Sequence, residues 1–105
     1  MLGEFEQLVL MAVLRAGDDA YGIPVHAELV RHTARDPSLA SVYKTLERLE
    51  HKGLLSVRTG PPTPERGGRR KQLYRVTNAG QKELRAALGA IRRMARGLDV
   101  GLEPS

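Results

Sequence analysis

The sequence predicts a mainly α fold with one small β-hairpin, and three observations predict it. Apolar residues recur at three- and four-residue intervals in four separate stretches. Only two short runs, around Leu55 and Tyr74, alternate as half-buried strands do. Breakers fall between the stretches, at Gly17, Pro37, Gly53 and the run from Gly60 to Gly68. With 105 residues the chain can build a single core and no second one.

The first helix covers residues 4 to 16, where Phe5, Leu8, Val9, Ala12 and Val13 keep helical spacing and Gly17 stops the run. Asp18 to Gly22 reads as a turn. Pro24 suits the first turn of a second helix running to about Thr33, because proline lacks only a donor that is unused there. Ile23, Ala27 and Val30 are expected to face inward. The third helix has both ends marked, by Ser38 as N-cap and by Gly53, the residue that most easily takes the left-handed conformation. Leu39, Val42, Leu46 and Leu49 fall on one side of it, and Ser41, Lys44, Thr45, Arg48 and Lys52 on another. That second side holds donors for phosphates and base edges, although a charged strip opposite an apolar one is also what most surface helices show.

Leu54 to Thr59 and Gln72 to Val76 read as the two strands of the hairpin. Their connection, Gly60 to Lys71, is far longer than a tight turn, and loops of that length are usually functional or disordered. Gly67-Gly68 ahead of Lys71 is no phosphate loop, since no Ser or Thr follows the lysine and a strand, not a helix, comes next. Thr77 can cap a last helix over residues 78 to 98, in which Leu84, Leu88, Ile91, Ala95 and Leu98 form a heptad seam. The first helix is apolar on more than one side. The seam is therefore expected to pack both on that helix and on a second copy of the chain, with Phe5, Leu8, Leu84, Leu88, Ile91, Ala95 and Leu98 at the dimer interface. Residues 99 to 105 read as a frayed tail.

Composition narrows the function. The net charge is +5, and it is unevenly spread: residues 1 to 53 carry −2, residues 54 to 77 carry +5, and residues 78 to 105 carry +2. Positive charge concentrated in the hairpin suits a nucleic-acid partner. With no cysteine there is no thiol chemistry or disulfide, which fits a reducing, cytoplasmic setting. His26, His32 and His51 lack the clustering of a metal site and read as ordinary polar residues. No nucleophile, base and carboxylate form a recognisable motif, so no catalytic residue, cofactor or enzyme activity is expected. The apolar run from Leu8 to Leu14 is too short to span a bilayer.

Helix, helix, helix, hairpin, helix, with an amphipathic third helix and a basic loop, is the winged helix-turn-helix arrangement. Residues 1 to 77 would form the DNA-binding domain and residues 78 to 98 a C-terminal dimerisation helix. The third helix would enter the major groove while the wing reaches the neighbouring backbone or minor groove. The sequence also resembles the PadR-like transcriptional regulators. The resemblance rests on Leu2-Gly3-Glu4-Phe5-Glu6, Tyr21-Gly22, Ser41 to Glu50 with Gly53-Leu54, Pro64 to Arg69, and Tyr74-Arg75-Val76-Thr77 followed by Gly80, and it runs from about residue 2 to 97. It implies a cytoplasmic homodimer on a palindromic double-stranded DNA operator, usually a repressor, with the terminal helix making much of the dimer contact. It further implies a flat, small hydrophobic effector near the dimer interface, held in some members against tryptophan, which this chain lacks. Larger relatives have a longer C-terminal helical region than this chain's single helix.

Lys44, Thr45 and Arg48 are the expected groove contacts, with Ser41 and Lys52 at the edges and Arg48 suited to guanine. Two roles fit Tyr43: its hydroxyl reaching a phosphate, or its ring closing the core beside Val42 and Leu46. Arg66, Arg69, Arg70 and Lys71 are expected at the backbone or minor groove, the alternative being a mobile solvated loop. Glu47 and Glu50 are expected to turn away from phosphate. The competing function is a winged-helix protein-interaction module that docks an acidic protein partner on the same basic surface.

Overall fold

Each helix starts or stops where a local signal directs the backbone. A computed structural model describes residues 2–62 and 70–99. The order is α1 (Glu4–Ala16), a 3-10 turn (Gly17–Asp19), α2 (Gly22–His32), α3 (Leu39–His51), β1 (Leu55–Pro62), β2 (Arg70–Val76) and α4 (Asn78–Ala95). Gly17, at φ +62°, ends α1. The Ser38 hydroxyl caps α3 by accepting from the Ser41 N–H at 3.1 Å, and the Thr77 hydroxyl caps α4 by accepting from the Gly80 N–H at 3.0 Å. At the far end of α3, the Gly53 N–H donates to Glu50 O and the Leu54 N–H to Leu49 O, both at 2.9 Å. That is a Schellman closure, with Gly53 at φ +77° and Leu49 and Leu54 both buried.

The core joins Val9, Leu10 and Val13 of α1, Val25 and Leu29 of α2, Val42, Leu46 and Leu49 of α3, and Leu84 of α4. The hairpin closes it with one face, where Leu55 pairs with Val76 and Val57 with Tyr74. The Tyr74 N–H donates to Ala20 O at 2.8 Å and holds the hairpin to the body, while the Thr77 N–H donates to Leu54 O at 3.0 Å across the base of the hairpin. Both strands run further into the connection than the alternation predicts. The register shifts between Thr59 and Pro62, where Gly60 and Pro61 interrupt the pairing. Leu73 is buried on the opposite face of the hairpin, so close to Gly60 that a Cβ there would lie 2.9 Å from its Cδ1.

Two sequence expectations change. In α2 the inner stripe is Gly22, Val25 and Leu29; Ile23 and Val30 are exposed and Ala27 is half-buried. Gly22 sets this phase, because the Tyr43 ring lies where a Cβ would stand, 2.3 Å from that position, so the helix turns its bare backbone toward α3. In α4 the helix stops at Ala95, Arg96 is extended and Gly97 takes φ +82°, so Leu98 lies beyond the helix and outside the heptad. The seam itself divides. Leu84 is buried in its own chain and Leu88 packs half-buried against the same core, whereas Ile91 is 55% exposed and Met94 79%. Leu84 is therefore committed to the core of its own chain. Phe5 and Leu8 are likewise partly buried against the core.

Candidate nucleic-acid interface

Burial of Val42, Thr45, Leu46 and Leu49 fixes which way α3 faces. Directly opposite, spaced four, three and four residues apart, stand Ala40, Lys44, Glu47 and His51, all exposed. One flank carries Ser41, Arg48 and Lys52 and the other Tyr43 and Glu50. Of the expected contacts, Lys44 stands outermost. Glu47 shares its strip, contrary to the expectation that it turns away. Thr45 is corrected: its side chain is 3% exposed, and its hydroxyl donates to the Ser41 carbonyl at 2.9 Å. A β-branched residue one position past the outer strip falls on the core side of the turn, where its hydroxyl bonds back along the helix.

Arg48 and Lys52 flank a group that pattern reading overlooked. The Glu6 carboxylate is 5% exposed. Its Oε1 accepts from the Gly3 N–H at 2.9 Å, its Oε2 accepts from Lys52 Nζ at 2.8 Å, and Arg48 Nη1 lies 3.7 Å from Oε2. Burial pushes the Glu6 carboxyl up, but Lys52, the Gly3 N–H and Arg48 together outweigh it and hold the group below the usual carboxylate range. Its position third in the helix is itself a sequence signal, since an acid there reaches back to the N-cap N–H. What periodicity could not show is that α3 passes this point.

The Tyr43 ring packs across onto α2. Its phenol end lies against Gly22, although the residue as a whole remains partly exposed. Tyr74 sits beside the same flank. Its hydroxyl is pushed up by burial and by the nearby Glu50, Glu47 and Tyr43. Among the basic hairpin residues, Lys71 Nζ lies 4.2 Å from the centroid of the Tyr21 ring, which ties β2 to the start of α2. Arg70 opens β2 opposite Pro62. Arg66 and Arg69 lie outside the described residues. Arg58 and Arg75, which spacing did not single out, are exposed on the hairpin. His26 Nε2 lies 2.8 Å from Pro37 O and so fastens the approach to α3. Among the described residues no group of His, Asp or Glu is placed to hold a metal ion, and no helix is long and apolar enough to cross a membrane.

Comparison with known proteins agrees with this geometry. The structure is similar to a PadR family transcription regulator from Clostridium difficile R20291, with a TM-score of 0.71 at 20% identity over 88% of this chain and 92% of that one. It is also similar to a PadR family transcriptional regulator from Eggerthella lenta DSM 2243, with a TM-score of 0.67 at 24% identity over 97% of this chain and 88% of that one. No curated protein matches the chain. The model of the transcriptional regulator PadR-like family matches residues 10–86, from the middle of α1 into α4. The match takes in α2, α3 and the hairpin, and this protein belongs to the PadR-like family of transcriptional regulators.

Proposed function

We propose that the protein is a homodimeric repressor that reads a palindromic operator, with α3 in the major groove and the hairpin against the adjoining backbone or minor groove. The observation that carries this reading is the outer strip of α3, which stands away from the core with Lys44 at its centre and Arg48 beside it. In this reading Lys44 contacts phosphate, Arg48 reads a base, and Ser41 donates at the edge. Lys71 and the arginines of the hairpin supply backbone contacts that orient the domain without reading sequence. The dimer is supported by the exposed Ile91, Met94 and Leu98 along one stretch of surface with Ala90 and Ala95. A two-fold pair would present its α3 helices to half-sites about one helical turn apart, roughly 34–36 Å. A small hydrophobic effector at the interface would rest on the same stretch.

The experiment is an anisotropy titration against DNA fragments from around the protein's own gene at two salt concentrations. Tight binding to one fragment that survives higher salt is expected. Weak, uniform binding that vanishes with salt would leave charge attraction alone.

A further inference from the structure

Two of the cations that α3 would bring to DNA share one buried carboxylate. Lys52 Nζ is 2.8 Å from Glu6 Oε2, and Arg48 Nη1 is 3.7 Å from the same atom. The other Glu6 oxygen is taken by the Gly3 N–H. If Lys52 swung out to a phosphate, Glu6 would keep its charge while losing its nearest partner in a site that is 5% exposed. A buried carboxylate that loses its ammonium is left under-compensated, so the pair opposes that swing even though the Lys52 side chain is itself 39% exposed. Arg48 is placed differently. Its side chain is 53% exposed, and a guanidinium has five donors in a fixed fork, so one edge can face Glu6 while another faces outward.

We propose that Glu6 is a positioning residue for sequence reading: it withdraws Lys52 from DNA and aims the Arg48 guanidinium, so that α3 presents one directed arginine rather than two mobile cations. The proposal rests on the DNA-binding reading above. A mobile cation adds affinity for every sequence through counterion release, whereas an oriented fork discriminates among bases. Glu6 therefore trades general affinity for selectivity, and it does so from α1, outside the helix that reads.

The test measures binding to a random-sequence duplex across a salt series, and to the genomic fragment that the parent prefers, for the parent, Glu6→Gln, and the double variant Glu6→Gln with Lys52→Met. Glu6→Gln should steepen the random-duplex salt slope by about 0.9, the value of one added phosphate contact, and reduce the preference for the genomic fragment by about tenfold. The double variant should return the slope to that of the parent. A double variant whose slope is shallower than the parent's by about 0.9 would show that Lys52 already touches phosphate, and would overturn the proposal. So would a Glu6→Gln slope and preference equal to the parent's. Should Glu6→Gln lose its cooperative melt, the double variant, with no unpaired ammonium beside residue 6, still decides. A parent that binds neither duplex refutes the DNA-binding reading itself, which is a different result from variants that bind as the parent does.

Discussion

α3 and α4 are both strongly amphipathic, yet they use their apolar stripes in opposite ways. In α3, Val42, Leu46 and Leu49 are fully buried within the chain, while Leu39, expected on the same stripe, is 39% exposed at the start of the helix. In the α4 stripe Leu84 is buried and Leu88 half-covered, whereas Ile91 and Met94 are exposed. The difference follows from where each helix sits. α3 lies across α1, α2 and β1 and is covered from Val42 to Leu49, while α4 packs on the body through Gly80, Leu84 and Leu88 and runs free beyond them. Periodicity alone therefore does not say whether a stripe belongs to a core or to a partner; the number of turns that have neighbours does.

The largest effect that would sharpen the contrast is in the α3 stripe. Leu46→Ala should destabilise the fold by about 2–5 kcal/mol, read by urea denaturation, because the site is fully enclosed. A loss as small as that of a surface substitution would break the comparison. Next comes the root of α4. Gly80→Ala would put a Cβ 2.2 Å from the Leu54 carbonyl oxygen, against backbone, and should cost about 1–3 kcal/mol by the same measurement. Unchanged stability would mean that α4 is not anchored there.

The free half of α4 should behave in the reverse way. Ile91→Asp is expected to halve the mass seen by light scattering while leaving the unfolding of the monomer nearly unchanged, since the side chain touches little of its own chain. It is a cleaner test than Leu88→Asp, which would also injure the core that Leu88 half covers. A dimer of unchanged mass would move the interface elsewhere. On the exposed side of α3, Lys44→Ala should flatten the salt dependence of DNA binding by about 0.9 without altering the melt. An unaltered slope would take the outer strip out of the interface.

The smallest effect concerns acid. The folded-state pKa of Glu6 lies below the ordinary glutamate value, so its ion pairs contribute stability that is fully present above about pH 4.3 and is lost as pH falls through the lowered value. Glu6→Gln should flatten that part of the stability profile while leaving the neutral-pH melt of a folded variant cooperative. A profile of the same acid slope would assign the loss to other carboxylates.

Much of the site was legible because its signals are local. Ser38, Thr77, Gly17 and Gly53 act on backbone groups within a few residues, and each does in the structure what its chemistry favours. The apolar stripe of α3 was legible for the same reason. The phase of α2 was not, since it depends on the Tyr43 ring resting on Gly22 from another helix. Thr45 was misplaced because a polar residue beside an apolar stripe is ambiguous by about one position, and the choice is made by what packs there. Glu6 was missed as part of the site because its partners are 42 and 46 residues away, at Arg48 and Lys52, where no window of periodicity reaches.

The sequence by itself determined the order of the helices and the hairpin, the caps that separate them, and the concentration of positive charge in the hairpin, because propensity, capping and composition act over a few bonds. Only the tertiary structure decided that Thr45 turns inward, that Lys52 and Arg48 share the Glu6 carboxylate, and that the α4 seam is half used and half free. Those outcomes depend on which surfaces the folded chain brings within a few ångströms of one another, and burial and ion pairing are properties of that proximity rather than of any one stretch of sequence.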